Sequence, residues 1–513
     1  MYIIQGENLE KVINGIKEAI DKKLTKENGV ITYELLDGSV QSLIANGGSG
    51  GSGGFSFITK EGDLKLDNSG VVPVLGFGNK SRGNGMGIKY DYPDSDMSDF
   101  LSDENTVYVI RYSHTSTAEQ IDVGYNSVLL FIGGAISASI KFNNNKLLGN
   151  VNLKGSTFVD GSSISNDEFD ASWVCNMDGD TDDCEIIENI FNVCTSVYFP
   201  KGIYYLADRY VLNYPRRITF TKDNIALRGD GDETVFKVKF PLIDKHNLNC
   251  FMISGKKNCS VKKIKFDVEN KVKELYGDIK TGDSIQYYEH ANLFFLNAVK
   301  GFTMEECTVT DYTGDIIYVA GGDTVVNPST DIAVRNNVFN GDSLMNRNAI
   351  SFISCIGADI YGNTFKNMTS VHNPGCIDIE PNREKNVVRD INIHGNTFQN
   401  GNRAAVVLDI NGVTPVSNIL INSNFIDNCY YGIHVKCSGG NFNSLVVKDN
   451  FIGICTYRAL DFNVSKDYDK ENAPTYNWIV KDNIIKMPVD INKFFIDYMN
   501  SGSYIYKDNI VNN

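Results

Sequence analysis

The sequence predicts an all-β protein, a single-stranded parallel β-helix. Three observations predict this fold: a phrase with an Asn and, one or two residues later, an apolar residue recurs every 26 to 33 residues, its flanks are strand-like, and a leucine scaffold is absent. A unit of roughly 29 residues with about three short strands and no helix is one coil of such a solenoid. Each coil buries its apolar face only by stacking on its neighbours.

The recurring phrase places one Asn at a corner of every predicted coil. These residues are Asn337, Asn363, Asn396, Asn424, Asn450, Asn483 and Asn509. Strands of stacked coils lie about 4.8 Å apart. We therefore expect each Asn to adopt a left-handed conformation and to bond through its side chain to backbone or to the next Asn. The predicted role of this Asn row is structural.

The chain ahead of the repeats divides by composition. The predicted regions are a helical attachment region at 1–46, a Gly/Ser linker at 47–54, a Gly-rich β or irregular connector at 55–104, a β cap with the first coils at 105–170, and the β-helix at 171–513. A helix over 8–25 has heptad-like apolar spacing. It fits either a helix packed on its own domain or a trimeric, partner-docking helix.

One internal helix is predicted at about 181–194, where the solenoid begins. Asp180 and Thr181 are expected to cap its first amides, and its apolar face is expected to cover the open end of the solenoid. The acidic run 178–183 resembles a calcium loop superficially, but Asp183 stands where an EF-hand needs Gly and Asn189 where it needs Glu. Capping is the preferred interpretation, and no metal site or cofactor is predicted.

Composition excludes several classes of partner. The net charge is −15 and no large Lys/Arg cluster occurs, which argues against nucleic acid and anionic membrane surfaces. No apolar stretch reaches the length of a membrane-spanning helix, and the N-terminus does not look like a signal peptide. The 11 cysteines are scattered without a C-x-x-C pair. They are expected to be free, buried thiols in a reducing compartment.

Three segments resemble the start of the pectate-lyase-like β-helix superfamily. They are Phe169–Ala171, Asp178–Asp183 and Val197–Tyr204. They match an acidic D-G-x-T-D-D before a helix and a V-x-F-P-x-G-x-Y strand after it. Residues 105–134 resemble tail proteins of gut bacteriophages, including crAss-like phages. Together the resemblance covers about residues 105–513.

This resemblance implies a right-handed, pectin-lyase-like β-helix in a homotrimeric tail spike of the virion. Such a spike recognises, and often cleaves, host surface polysaccharide, and its N-terminal region attaches it to other virion tail proteins. Members of the family differ in their catalytic residues and in whether they hydrolyse, eliminate or only bind. No catalytic motif is therefore carried over, and the site has to be sought in the coils themselves.

Six strands, one per coil, align by their own alternation. They cover residues 316–319, 350–353, 377–380, 406–409, 433–436 and 460–463. First and third positions are apolar and should face the core, so second and fourth positions should face outward. The outward face then changes from apolar (Ile317, Val319, Ile353) to ionisable midway, as a carbohydrate groove would. The apolar part fits a trimer interface.

Three carboxylates converge on this outward face and are the predicted catalytic residues. Asp378 and Glu380 lie about 6.5–7 Å apart along one strand, and Glu380 and Asp409 about 5 Å apart on adjacent coils. Like charges this close raise one pKa, as a general acid requires. Carboxyls about 5–5.5 Å apart suit a retaining glycosidase and about 6.5–9.5 Å an inverting one. Both remain open, and Asp311 and Asp315 are second-choice acids.

The neighbouring coils supply predicted substrate-binding residues, namely His434, Lys436, Asp461, Tyr430, Tyr431 and Tyr457. The charged residues would stabilise charge or bind acidic sugars, and the tyrosines would stack on sugar rings. The favoured function is a polysaccharide depolymerase, with hydrolysis preferred over elimination. Binding without cleavage, a solvated face and a trimer interface remain alternatives. A lyase would usually need an acidic calcium cluster and a base, for which Lys436 alone is at hand.

Overall fold

The computed structural model describes residues 87–117, 120–207, 218–239, 249–269, 291–312, 314–322, 326–341, 346–368, 374–410, 415–437, 442–464, 477–486 and 504–512, with short strands at 64–65, 76–77, 210–211, 214–215 and 495–497. The chain divides into two compact units, residues 1–167 with 192–194, and residues 168–191 with 195–513. The predicted attachment region, its helix, the linker and most of the connector lie outside the described residues.

The first unit is built mainly from parallel strands of successive chain turns. Its largest sheet contains Gly87–Tyr90, Thr106–Ile110, Val128–Phe131, Asn143–Gly149 and Ser163–Ile164. Smaller parallel sheets contain Ile121–Asp122, Ser139–Lys141 and Thr157–Phe158, and Ser113–Thr115 with Ala135–Ser137. Leu64–Lys65 and Gly76–Phe77 pair antiparallel, and a short helix spans Met97–Phe100. β-branched side chains such as Val107 and Val109 pack on Ile88 in the core.

The second unit is a parallel β-helix, which confirms the predicted fold. Each strand pairs in parallel with the strand one coil earlier and the strand one coil later, in a single 30-stranded ladder. The strands fall into three rows, here called face 1, face 2 and face 3 in the order in which the chain visits them. Five strands bend around a corner or carry a bulge and are correspondingly long.

Face 1 contains Phe169–Asp170, Ser196–Tyr198, the first parts of Ala226–Lys239 and Lys257–Glu269, Lys300–Glu305, Ser329–Arg335, Cys355–Tyr361, Val388–His394, Val416–Asn422, Phe442–Lys448, Trp478–Lys481 and Tyr504–Lys507. Face 2 contains Asp178–Asp182, Gly202–Leu206, the second parts of Ala226–Lys239 and Lys257–Glu269, Thr308–Thr310, Val338–Asn340, Thr364–Lys366, the first parts of Thr397–Ile410 and Phe425–Cys437, Phe451–Ile452, Ile484–Lys486 and Ile510–Asn512.

Face 3 contains Ile218–Thr219, Asn249–Ser254, Asn292–Asn297, Ile317–Ala320, Ile350–Phe352, Gly375–Ile379, the second parts of Thr397–Ile410 and Phe425–Cys437, Cys455–Val464 and Phe495–Asp497. A separate antiparallel pair joins Tyr210–Val211 to Tyr214–Pro215. Inward-facing residues of all three faces are buried aliphatic and aromatic side chains. Within this core the rings of Phe339, Phe365 and Phe398 stack with centroids 5.1 and 4.8 Å apart.

The predicted Asn row forms a continuous ladder at the corner between faces 1 and 2. From Asn337 to Asn483, each side-chain amide donates to the Oδ1 of the Asn in the next coil at 2.8–3.1 Å, and Asn509 accepts the last of these bonds. Each Nδ2 also donates to a backbone carbonyl, as Asn424 does to Ile393 at 2.9 Å. The ladder Asn residues are buried up to Asn483. Their polar groups are therefore satisfied by the architecture itself.

The left-handed residue at this corner is not the ladder Asn, contrary to the prediction. It is the residue before it: Asn336, Gly362, Gly395, Ser423, Asp449, Asp482 and Asp508, with φ between 55° and 66°. That residue turns the corner, which leaves the Asn side chain aligned with the solenoid axis. A second Asn ladder, which the sequence analysis missed, joins Asn340, Asn367, Asn400 and Asn428 after the face 2 strands.

The internal helix is shorter than predicted, spanning Cys184–Ile190. Asp180 and Thr181 do not cap it, because they belong to the strand Asp178–Asp182. The Asp182 side chain instead accepts from the amide of Cys184 at 3.1 Å. The helix contacts the first strand of face 3, where the Glu188 carboxylate accepts from the amide of Thr219 at 3.1 Å.

The predicted outward apolar strip is wrong at its first coil. Ile317, not Ile316, pairs with Ile350, so the predicted alignment was shifted there by one residue. A shift of one residue exchanges the two faces of a strand. Ile317 and Val319 consequently point into the core and are fully buried, and Ile353 is buried as well. These residues cannot form the trimer interface that the sequence suggested.

Two predictions from composition can be compared with the described residues. All 11 cysteines are free, and nine of them are buried. In the part of the chain that the structure describes, no helix is long and apolar enough to span a membrane.

Candidate active site on face 3

From Ile350 onward, the strands of face 3 pair in the predicted register. One outward row runs through Phe295, Tyr318, Ser351, Asp378, Val407, His434 and Asp461. A second row, two residues further along each strand, contains Asp409, Lys436 and Asn463. Glu380 precedes Asp409 in this row, because Ile379 pairs with Leu408. The predicted catalytic residues are thus brought together on one wall of the solenoid.

Asp378 lies on the outward row but is 1% exposed. Its Oδ2 accepts a hydrogen bond from the side-chain amide of Asn348 at 3.1 Å, and that amide also donates to Ser351 Oγ at 2.9 Å. Ser351 in turn donates to Asp315 Oδ2 at 2.9 Å. Among the described residues, Asp378 Oδ1 has no hydrogen-bond partner. A buried carboxyl oxygen without a partner calls for an explanation.

Burial raises the pKa of Asp378 well above the usual range of a carboxyl group. The like charges of Glu380 and Asp315 raise this pKa further, whereas Arg347 lowers it. The Arg347 guanidinium lies 3.4 Å from Asp315 Oδ1 and so balances part of the negative charge. Here the acid cluster means Asp315, Asp378, Glu380 and Asp409. The arrangement favours the protonated form of Asp378.

The other two predicted catalytic residues are more accessible. Glu380 and Asp409 are both half-buried. Lys436 Nζ donates to Asp409 Oδ2 at 2.8 Å, and the two residues are register partners on adjacent coils. Asp409 therefore makes a contact that suits its ionised form. Asp378 and Asp409 differ accordingly in burial and in partners, which is how two carboxyls in one site acquire different roles.

His434 and Asp461 form a second polar group on the two coils that follow Asp409. His434 Nδ1 lies 2.7 Å from Asp461 Oδ2, and Arg458 Nη1 donates to Asp461 Oδ1 at 2.6 Å. Burial alone would raise the pKa of Asp461, but the contacts with His434 and Arg458 outweigh it and lower that pKa. Asp461, which is 2% exposed, therefore anchors the side chains of His434 and Arg458.

The three predicted tyrosines form one cluster beside His434. Tyr430 and Tyr457 stack with ring centroids 5.0 Å apart, and Tyr431 stands edge-on to both. Tyr431 also stacks on the His434 ring at 4.6 Å. The strand register shifts between Cys429 and Tyr431, as it does at a β-bulge. This shift places the consecutive residues Tyr430 and Tyr431 on the same side of the strand.

A second aromatic pair lies on the other side of the acid cluster. The rings of Phe295 and Tyr318 stack with centroids 5.5 Å apart and are half-buried. Face 3 thus carries aromatic surfaces before and after its carboxyl groups. Aromatic faces flanking carboxyl groups suit a chain of sugar rings, whose apolar faces stack on aromatic side chains.

Four further contributors to this site were not predicted from the sequence: Asn348, Arg347, Arg458 and the bridging role of Ser351. Asn348 and Arg347 precede their strand, where the alternation used to find outward residues does not apply. Arg458 is brought to Asp461 by the bulge, which no periodic pattern reveals. Among the described residues, no group of three or more His, Cys, Asp or Glu side chains is placed to hold a metal ion.

The acidic run that resembled a calcium loop lies largely in the strand Asp178–Asp182, and hydrogen bonds within the run hold the Asp178 carboxylate. Asp178 accepts hydrogen bonds from the amides of Asp180 and Thr181 and from the Thr181 hydroxyl. These bonds lower the pKa of Asp178 to about 2. Its oxygens are thus occupied by neighbouring donors.

Comparisons with known proteins identify similar folds only. No family model matches the chain, and no curated protein matches its sequence. Among solved structures, it is similar to an exopolygalacturonase from Thermotoga maritima at 12% identity and a TM-score of 0.40, covering 68% of this chain and 92% of that one. A family 28 exopolygalacturonase from Yersinia enterocolitica has 13% identity and a TM-score of 0.42, with 68% and 71% covered.

The A-module of the Azotobacter vinelandii mannuronan C-5 epimerase AlgE6 has 16% identity and a TM-score of 0.37, with 67% and 98% covered. Similarities at this level carry no information about the reaction. The function has to be inferred from the side chains of face 3.

Proposed function

We propose that face 3 binds host surface polysaccharide and that its acid cluster hydrolyses a glycosidic bond. One observation carries the proposal: Asp378 is a buried carboxyl whose surroundings favour protonation and whose Oδ1 has no partner among the described residues. Because Oδ2 accepts from Asn348, a proton on Asp378 belongs on Oδ1. A protonated oxygen without an acceptor is suited to donate to the oxygen of a bound glycoside.

In this mechanism Asp378 is the general acid and protonates the leaving-group oxygen as the glycosidic bond breaks. Asp409, whose carboxylate contacts Lys436, is the base that activates water or the nucleophile that attacks the anomeric carbon. Glu380, its neighbour on the same outward row, is the second candidate for that role. The anomeric configuration of the first product, followed by NMR, decides between inversion and retention.

Asp378 Oδ1 is inaccessible to solvent in this structure. The mechanism therefore requires a rearrangement that exposes this atom when the sugar binds. Aromatic stacking along face 3 supplies binding energy remote from the reacting bond, and such energy can be spent on rearrangement at the site. The same burial supports a second function, which is binding without cleavage. In that case Asp378 is only a buried, protonated part of the wall.

The test is a depolymerase assay of the full chain against a panel of bacterial surface polysaccharides. We expect shorter chains to appear, and Asp378→Asn to lower kcat by about 10²–10⁴-fold. Asp359→Asn, which changes a half-exposed carboxyl on face 1, is the matched control and should leave the rate unchanged. Absorbance of unsaturated products would indicate elimination. Polysaccharide binding with unaltered chain length would support the second function.

We also propose that the chain is a tail spike of a bacteriophage virion, homotrimeric and attached through its N-terminal region. The support is the resemblance of residues 105–134 to phage tail proteins and of the coils to the pectate-lyase-like superfamily. Purified protein is expected to block adsorption of the phage to its host, and antibodies to the chain should label virion tails. Labelling of infected-cell fractions alone, without virions, would contradict the proposal.

A further inference from the structure

Two outward rows of the C-terminal coils are apolar. On face 1 the row consists of Leu420, Val446, Ile479 and Ile505, which are register partners on successive coils. On face 2 it consists of Phe425, Phe451, Ile484 and Ile510. Here these eight residues are called the apolar stripe. They lie on either side of the corner that holds the buried Asn ladder.

The same rows are mostly polar in the preceding coils. On face 1, Leu420 follows Asp359 and Asn392, and on face 2, Phe425 follows Thr364 and Thr397. The change from polar to apolar thus occurs at the same coil on both faces. The fold does not require it, because the earlier coils stack in the same way with polar residues at these positions.

The apolar stripe is exposed. Ile505 and Ile510 are 50% and 54% exposed, Phe425 and Ile484 are each 39% exposed, and the other four are half-buried. The ammonium group of Lys486 lies 5.4 Å from the centre of the Phe451 ring and shields part of it. Each apolar row is contiguous over four coils, and two such rows flanking one corner mark an interaction surface rather than scattered exposure.

Between the two apolar rows run two rows of opposite charge. Lys448, Lys481 and Lys507 end their face 1 strands, and each is followed by an aspartate, with N–O distances of 3.5, 3.0 and 3.6 Å. The three lysines stack on successive coils, as do Asp449, Asp482 and Asp508. The corner therefore carries equal numbers of positive and negative groups in parallel lines.

We propose that the apolar stripe is an interface between copies of this chain. A partner that covers all four coils needs rows of apolar and charged side chains repeated at the coil spacing of about 4.8 Å. A second copy of this chain has such rows. The charged rows are self-complementary, since the lysine row of one copy fits the aspartate row of another. The stripe also supplies the apolar interface that the sequence analysis had placed on Ile317, Val319 and Ile353.

The test uses a photo-crosslinking amino acid, benzoylphenylalanine, in the full-length protein. At Phe451 it is expected to give covalent dimers on a denaturing gel, with crosslinks that map to the stripe of a second copy. The same amino acid at Thr397, which is on the same row but outside the stripe, should give few covalent dimers. Crosslinks from position 451 to residues 1–86 of the same chain, or to no protein at all, would overturn the proposal.

A second measurement places a charged side chain in the apolar stripe and follows the crosslinking yield. Ile484→Lys is expected to reduce the crosslinking yield from position 451 at least fivefold, whereas Thr364→Lys leaves it unchanged. Circular dichroism and the thermal midpoint show whether each variant is folded. Cleavage or binding of polysaccharide by face 3 provides a separate readout, so loss of self-association and loss of the proposed function are distinguishable. An unchanged yield in folded Ile484→Lys would overturn the assignment.

Discussion

Two buried aspartates on the same row of face 3 show how their neighbours decide their chemistry. Asp378 and Asp461 are 1% and 2% exposed, yet the pKa of Asp378 is raised and that of Asp461 lowered. Asp461 is in contact with the imidazole of His434 and the guanidinium of Arg458. Asp378 has a neutral amide donor, and nearby carboxylates outweigh the single guanidinium. Only Asp378 therefore has the character of a proton donor.

The acid cluster predicts opposite pH shifts for two substitutions. Burial is the main cause of the raised pKa of Asp378, but Asp315 raises it further and Arg347 lowers it. A general acid loses activity as the pH rises through its pKa. We expect Asp315→Asn to move the high-pH limb of kcat/KM down by about one pH unit and Arg347→Gln to move it up. Shifts in the same direction would show that charge is not the cause.

Asp378 also predicts a pH dependence of stability. Its pKa is higher in the folded than in the unfolded chain, so folding takes up a proton between those two values. The contribution of Asp378 to the free energy of unfolding is fully present below the unfolded pKa of about 3.9. It falls by about 1.4 kcal/mol for each pH unit between the unfolded and the folded pKa. Asp378→Asn removes this loss. The difference between the thermal midpoints of Asp378→Asn and of the original protein should therefore increase in favour of the variant from pH 4 to pH 8. Calorimetry measures both midpoints. A difference that stays constant with pH would contradict the argument that burial raises the pKa of Asp378.

At the residue scale, the sequence indicated which carboxyl groups meet but not how they differ. Asp378, Glu380 and Asp409 follow from a period of two within a strand and from stacking between strands. The hydrogen-bonded link from Asp378 to Asp315 runs through Asn348 and Ser351, and Asn348 precedes its strand. Contacts made from such segments have no periodic signature, so alternation alone could not reveal them.

At the scale of the element, the corner between faces 1 and 2 is the repeated unit that holds the coils in register. The sequence predicted the Asn ladder, because a side-chain amide can both donate and accept along a stack. It misplaced the left-handed residue, which is one position earlier, as Asp449 before Asn450 shows. The one-residue error at Ile316 arose because Ile316 and Ile317 are both apolar, so alternation does not distinguish them there.

The ladder predicts a large loss of stability on substitution. Asn424 accepts from the amide and side chain of Asn396 and donates to Ile393 and Asn450. Asn424→Ala leaves buried polar groups without partners, and we expect a loss of about 3 kcal/mol. Chemical denaturation measures the loss. Asn428→Gly removes an exposed ladder bond while allowing the positive φ, and it should cost less than about 1 kcal/mol. Equal losses would show that burial is not decisive.

At the scale of the whole molecule, the solenoid converts short sequence repeats into long surface rows. This is why the fold was predictable from the repeats, whereas the use of each row was not. The face 3 row from Phe295 to Asp461 crosses six coil spacings, roughly 29 Å at about 4.8 Å each. The acid cluster lies between its aromatic ends. A substrate that uses the whole row must therefore be a long chain rather than a small sugar.

This length predicts that the effect of the aromatic ends depends on substrate size. Tyr430→Ala with Tyr457→Ala removes a stacked pair on one side of the acid cluster. For long oligosaccharides we expect kcat/KM to fall about tenfold, because roughly 1.4 kcal/mol of stacking is lost. For the shortest cleavable oligosaccharides, which do not reach these tyrosines, it should not change. Tyr361→Ala, on face 1, is the control. An equal loss for all lengths would mean that the tyrosines support the site structurally and that the groove is shorter than the row.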